Sequence, residues 1–569
     1  MATQRGSGDE GSATATTEGG PAQRGDQPTP EDRTSGLHRH IGRTGLLFAG
    51  VGSIIGSGWL FGSLNASIIA GPAAVLSWAI AGVMIILIAL TYAELGTMFP
   101  VSGGVVRFPH YAFGSFTSFT MGWITWLAAA SVAPVEVEAA LQYASNYIGG
   151  LAHVPAGSGG NPVLTFPIGY AVAVVLLAVF CWINLVGIRA FARANTPIVG
   201  WKIGVIFLVI VAFLVTKFRG ANFSDFGGFT PYGWHGVFES IATAGIVFSY
   251  LGFRQGVELA GESENPRRNV PFAVIGSVVI AGLAYVALQV AFIGSAPTSG
   301  LDHGWSGLTF NNDFGPLAGI AQIIGLSWLA TILYVDAVIS PADTGLIYTT
   351  VTARISYAMG RNRNVPPQLE RTSERGVPWV SLVLAFLVGL IFFLPFPGWQ
   401  KLVTFITSAT VLSFGSGPLV WAALRDRLPD HSRPFRLPFG HTIPFLAFFS
   451  SNVIVYWAGW NTNWKLFVAI GIGLVLLAVY KAIARDALPP MDWRAGAWVL
   501  PWLGSLALVS YLGNYGSDAA KVFSLESGVA IIFGLSLVVY LAAYMLRLPG
   551  DRVRELIEES AERAPASAA

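Results

Sequence analysis

Runs of roughly 20 predominantly apolar residues, the length a helix needs to cross a bilayer, recur about fourteen times along this chain and limit its possible folds more than any other feature. They begin near positions 44, 72, 116, 166, 196, 237, 271, 317, 378, 399, 440, 465, 496 and 524. Hydrocarbon offers no partner to a backbone amide or carbonyl, so such segments satisfy their hydrogen bonds internally, as α-helices. Of 569 residues 53% are apolar and 11% charged, more apolar surface than a soluble core of this size can hide. The expectation is an all-α integral membrane bundle of about 14 transmembrane helices.

Charge placement orients the bundle. With the N-terminus in the cytoplasm, most of the 33 Lys and Arg residues fall on cytoplasmic segments, and only Lys202 and Arg254 lie inside spans. Arg354, Arg361 and Arg363, and then Arg425, Arg427, Arg433 and Arg436, therefore read as topology anchors and not as a nucleic-acid surface; the expected partners are the lipid bilayer and a small molecule. Residues 1–40 are rich in Gly, Ser, Thr, Pro and charge, too polar to bury a core, and are expected to form a disordered cytoplasmic tail. They lack the apolar core of a cleavable signal, which makes the first span the targeting element. A second cytoplasmic tail is expected over 549–569, briefly helical from Asp551 to Arg563. Cys181 is the single cysteine, which excludes intrachain disulfides and thiolate metal clusters. The expected location is the plasma membrane, multi-pass, with both termini cytoplasmic.

Two spans are interrupted. The first contains Gly52, Gly56, Gly58 and Gly62 with Ser53 and Ser57 between them, and the sixth reads Phe248-Ser-Tyr-Leu-Gly-Phe-Arg-Gln-Gly256. Small residues also let helices approach closely, yet Gly56-Ser57-Gly58 sets two helix-weakening residues at mid-span, which suits an unwound segment. The peptide is expected to unwind at 56–58 and at 251–256. Paired interruptions five spans apart are what an inverted repeat of two five-helix halves produces, and they point to a transporter's binding site. An unwound helix frees backbone donors and acceptors, and the positive end of a half-helix attracts a carboxylate. The α-carboxylate of an amino acid is expected at the amides of Ser57, Gly58 and Trp59, beside Gly56. Its ammonium is expected at the carbonyls of Ile54, Ile55 and Ser249, with Gly252, Phe253 and Arg254 lining the other side.

Four strings carry a family resemblance: Gly52-Ser-Ile-Ile-Gly-Ser-Gly-Trp-Leu-Phe61, Tyr92-Ala-Glu-Leu-Gly-Thr-Met-Phe-Pro-Val-Ser-Gly-Gly104, Thr344-Gly-Leu-Ile-Tyr-Thr-Thr-Val-Thr-Ala-Arg-Ile-Ser-Tyr-Ala-Met359, and Arg433-Pro-Phe-Arg-Leu-Pro438. Together they resemble the amino acid-polyamine-organocation permeases over roughly residues 40 to 440. The resemblance implies a five-plus-five, leucine-transporter-like fold with alternating access. On that basis residues 41–220 form one repeat, 221–438 the second, and 439–548 four additional helices. In that family span 6 usually continues Gly-Phe with a glutamate, whereas here Arg254 follows. Gly252-Phe253-Arg254-Gln255 is similar to the corresponding segment of bacterial aspartate-proton symporters.

The charges inside spans are the remaining candidates. Arg254 is a permanent cation whose fork matches a carboxylate; it either recognises a second carboxylate on the cargo or pairs with Glu136, Glu138, Asp336 or Asp343. Lys202 lies a little inside the fifth span and either snorkels to the cytoplasmic face or, as the resemblance implies, stands where sodium sits in sodium-coupled relatives and carries the proton instead. Asp336 and Asp343 share one helix face; Asp336 is assigned to the proton pathway, and Asp343 has the alternative of pairing with Arg354. Glu94 is expected to pair with cytoplasmic arginines, and Glu258, Glu262 and Glu264 to form an inner salt-bridge network with Arg267 and Arg268.

A channel needs a continuous polar lining, a receptor an attached ligand-binding or signalling domain, and an enzyme a nucleotide loop, zinc motif or nucleophile-base pattern. The chain displays none of these. The function expected is therefore proton-coupled import of an amino acid, acidic in kind, with no metal or cofactor and with a proton rather than a sodium gradient as the driving force. The alternative is an exchanger for neutral amino acids or polyamines.

Overall fold

The computed structural model describes residues 41–562 apart from 102, 156–161, 187, 309–313, 374–376, 395–397 and 485–487. The expected N-terminal tail lies outside the described residues. Helix α1 (Arg43–Ile54) stops and α2 (Gly58–Ala70) takes up the chain three residues later, followed by α3 (Ala74–Met98) and α4 (Gly104–Ala144). A short antiparallel ribbon, β1 (Ala152–His153) with β2 (Val163–Leu164), precedes α5 (Ile168–Val186) and α6 (Ile188–Thr216). Helix α7 (Gly233–Thr243) gives way to a 3-10 stretch over Phe248–Arg254 and the short α8 (Gln255–Glu258), before α9 (Pro266–Ser295), α10 (Pro316–Ile323) and α11 (Ser327–Arg361). The remainder comprises α12 (Trp379–Phe392), α13 (Trp399–Phe414), α14 (Ser416–Arg427), α15 (Thr442–Trp457), α16 (Trp460–Ile483), α17 (Val499–Leu512), α18 (Leu525–Leu546) and α19 (Gly550–Glu562).

Among the described residues nine helical stretches are long and apolar enough to cross a membrane, or ten if α7 and the Phe248–Glu258 stretch, bent by 47°, count as one. Three further apolar helices, α12, α15 and α17, are shorter. The run expected from position 317 is divided by a turn at Gly325, whose φ of +86° suits glycine. It leaves α10 with 8 residues, too short to span, and passes the crossing to the 35-residue α11. Helix α4 is interrupted at Gly114 (φ +76°), against which Asp492 packs so closely that no Cβ fits. The chain is thus an all-helical, multi-pass membrane protein.

Helix α3 lies along α9, and α4 along α11 and α13, while α1 nests between α9 and the Phe248–Arg254 stretch. Glu94, buried near the end of α3, receives Arg425 at 2.7 Å, Arg433 at 3.5 Å and the backbone amide of Leu437 at 2.7 Å. This is the arginine pairing expected of it, and it ties the Arg433–Pro438 loop to the bundle. Ile41 exchanges backbone hydrogen bonds of 3.0 Å with Glu262 and Glu264, and Glu262 pairs with Arg354 at 3.2 Å. The inner network therefore uses Arg354 where the sequence suggested Arg267 and Arg268, because α11 brings its basic end beside the turn after α8. The C-terminal α19 buries Val553 and Leu556, and Arg107 of α4 donates to Ser560 at 2.7 Å.

Candidate functional site

Between α1 and α2 the backbone leaves the helical path at Ile55 (φ −86°, ψ 81°) and resumes it at Ser57. The first amides of a helix have no intrahelical acceptor and carry its partial positive charge. Here the Ser57 amide donates to Oε2 of Glu136 at 2.9 Å, and Trp399 Nε1 donates to Ser57 Oγ at 2.8 Å. On the α1 side, Tyr285 donates to the Ile54 carbonyl at 3.2 Å and Thr344 to that of Ile55 at 3.3 Å.

The second interruption packs onto the first. A Cβ on Gly252 would overlap the backbone of Ser53 and Ile54, and one on Gly58 would overlap Ser249 Oγ, so both glycines are required by close approach. Helix α7 ends at Thr243 and Gly245 turns the chain with φ +89° against the ring of Trp399. The departure from α-helix thus begins upstream of the expected 251–256 stretch, and α8 already starts at Gln255. Ser249 spends its hydroxyl on the Gly245 carbonyl at 2.8 Å. Trp59 is fully buried, and Phe253 lies against Phe414 with ring centroids 5.0 Å apart.

Lys202 does not snorkel. Its side chain is 0% exposed and its ammonium meets Asp343 Oδ2 at 2.6 Å, the Gly52 carbonyl at 3.1 Å and Thr344 Oγ1 at 3.3 Å. Asp343 consequently belongs to Lys202 and not to Arg354. Trp201, the neighbouring residue, donates to Asp336 Oδ1 at 2.9 Å, and Ser340 donates to the same carboxylate at 2.8 Å. Two consecutive residues of α6 therefore engage the two acids of α11, which are two turns apart.

Arg254 presents the opposite arrangement. It is 1% exposed, its guanidinium lies 5.2 Å from the centre of the Tyr348 ring, and Nε and Nη2 have no hydrogen-bond partner. Among the described residues it forms no ion pair with Glu136, Glu138, Asp336 or Asp343, so the internal salt bridges considered from sequence do not form. Each of those acids faces elsewhere: Glu136 the Ser57 amide, Asp336 Trp201, Asp343 Lys202, while both oxygens of Glu138 are buried without a hydrogen-bond partner. Glu258, one turn along from Arg254, is the carboxylate within its electrostatic reach.

The sequence singled out the glycine break, Lys202 and Arg254, but not Asp343 as the lysine's partner, Glu136 at the break, or Trp399 over Ser57. Glu136 carried a signal, since a carboxylate inside a span is a functional candidate by its cost alone.

Residues 41–515 match the family described as amino acid permease. The chain is 39% identical over 508 residues to the glutamate/serine transporter AimA of Bacillus subtilis (strain 168), covering 89% of this chain and 94% of that one. It is 34% identical over 507 residues to the aspartate-proton symporter of the same bacterium, covering 88% and 95%. The branched-chain amino acid permease BcaP, also from B. subtilis, is 27% identical over 460 residues, with 78% and 93% covered.

Proposed function

The chain belongs to the amino acid permease family, and from that premise we propose that it is a secondary active transporter that imports an amino acid with protons, acidic cargo being preferred. The observation that carries this reading is the burial of Lys202 against the Gly52 carbonyl at the end of α1, where a mobile cation would otherwise complete the break. A lysine ammonium can leave the charged state by losing one proton. Losing it would release Asp343, the Gly52 carbonyl and Thr344 together, loosening α1 against α11. Asp336, held beside it through Trp201, extends the route for that proton. No metal or cofactor enters this scheme, and sodium has no part in it.

The cargo is read from the break outward. Amides of Ser57, Gly58 and Trp59, around Gly56, take the α-carboxylate; carbonyls of Ile54, Ile55 and Ser249 take the ammonium; Gly252 and Phe253 line the other side. Arg254, a buried guanidinium with unpartnered nitrogens, then takes a side-chain carboxylate, since a desolvated cation in a span requires compensation. The relatives named as a glutamate/serine transporter and an aspartate-proton symporter support that choice. In this reading residues 41–220 and 221–438 are the two five-helix halves, with discontinuous first and sixth spans among about 14 helices. Residues 439–548 are accessory helices, and the protein lies in the plasma membrane with both termini cytoplasmic.

A competition panel of the common amino acids against labelled L-aspartate in proteoliposomes tests the assignment. Aspartate and glutamate should displace the label best; stronger displacement by neutral amino acids or polyamines would contradict it.

A further inference from the structure

At the start of α2 the position assigned to the cargo's carboxylate already holds one. Glu136 projects from α4, is fully buried, and accepts the Ser57 amide through Oε2 at 2.9 Å. Its other oxygen, Oε1, has no hydrogen-bond partner and lies 2.5 Å from where a Cβ on Gly56 would stand. The chemistry is that of a free amino acid's carboxylate at the same amide. Resting on the function proposed above, we infer that Glu136 fills the carboxylate site of the empty carrier and that an amino acid binds by displacing it.

Two carboxylates cannot share one amide cluster in a low-dielectric site without severe repulsion. The displaced side chain turns to Lys202, the cation whose charge acts on it most directly. Thr344 touches both sides of this exchange, lying 3.0 Å from the Gly56 Cβ position and 3.3 Å from Lys202 Nζ. The charged and titratable groups facing Glu136 are Lys202 from α6, Asp343 and Tyr348 from α11, and Tyr285 from α9. A proton on the Glu136 carboxyl weakens it as an acceptor and makes it easier to displace, so carboxylate cargo should bind more tightly as pH falls. Above the range in which Glu136 ionises, competition is strongest and cargo binding weakest.

The test is equilibrium binding of L-aspartate, and of L-aspartic acid α-amide, to the purified full-length carrier in lipid nanodiscs across pH. Glu136→Gln keeps an acceptor of the same reach but removes its charge. Charge-assisted hydrogen bonds are about twice as strong as neutral ones, so the variant should bind aspartate about 5- to 10-fold more tightly than wild type at high pH. The wild-type pH dependence should be flattened, and the α-amide, which lacks the competing carboxylate, should gain clearly less. Glu136→Asp keeps the charge but draws it back from Ser57, and it too should bind aspartate more tightly; it decides the matter if the glutamine variant does not fold. Aspartate binding that is unchanged or weaker in the folded variant, or an equal gain for the α-amide, overturns the displacement while leaving the transport function standing. Wild-type protein that binds no α-amino acid at any pH overturns both.

Discussion

Two buried cations accompany the paired helix breaks, Lys202 beside Gly52 of α1 and Arg254 in the Phe248–Arg254 stretch, and the structure treats them differently. Lys202 is compensated three times over, by Asp343, the Gly52 carbonyl and Thr344. Arg254 is packed over Tyr348 with two nitrogens that donate to nothing. A buried charge costs several kcal/mol unless paired and hydrogen-bonded, so a fully compensated cation needs no ligand, whereas one with unpartnered nitrogens and only Glu258 within electrostatic reach has donors left for an anion. This difference is the basis for proposing that the first serves energy coupling and the second cargo selection. It also fits the chemistry of the two groups, because an amine can give up its proton and a guanidinium cannot.

The severest way to break this contrast is to remove the compensated cation. Lys202→Ala should abolish accumulation against a gradient for every cargo, and it leaves Asp343 buried without a partner, a loss of about 3–5 kcal/mol for a broken buried pair. A double variant, Lys202→Ala with Asp343→Asn, removes that penalty; thermal stability should recover while accumulation stays absent. Recovery of accumulation in the double variant would remove Lys202 from the coupling step. Next in size, Gly58→Val should eliminate binding of all amino acids, because the added side chain collides with Ser249 where the cargo's carboxylate is proposed to sit. Normal transport by the folded valine variant would move the site elsewhere.

Arg254→Gln sharpens the other half of the comparison. One lost charge-assisted hydrogen bond is worth about 1.5 to 3 kcal/mol, so affinity for aspartate or glutamate should fall about 10- to 150-fold, with alanine or serine little affected. Equal losses for acidic and neutral cargo in a folded protein would make Arg254 structural. The smallest effect belongs to Trp399→Phe, which deletes a neutral hydrogen bond to Ser57 Oγ and should weaken all cargoes alike by about 2- to 10-fold. A loss confined to acidic cargo would link Trp399 with Arg254 instead of with the break.

The glycines of the two breaks were legible in the sequence because a helix-weakening cluster in an apolar run has few uses, and the close approaches at Gly58 and Gly252 give their physical reason. Lys202 and Arg254 were legible because charge is costly in a span. Their partners were not. Asp343 could have met either Arg354 or Lys202, and hydrophobic periodicity does not say which face of α11 turns to α6. The same limit hid Glu136, whose role depends on α4 passing the start of α2, a contact between positions 79 residues apart. The second break was displaced upstream because Gly245, and not the polar stretch after it, supplies the left-handed turn.

Coupling is the central claim, and proteoliposomes loaded with a pH-sensitive dye and no internal amino acid measure it directly. Adding L-aspartate outside, with membrane potential clamped, should acidify the lumen in step with aspartate uptake in the wild type and not with Lys202→Ala. Uptake that leaves the luminal pH unchanged, or that begins only when the vesicles are preloaded with amino acid, would contradict proton-coupled import and identify an exchanger.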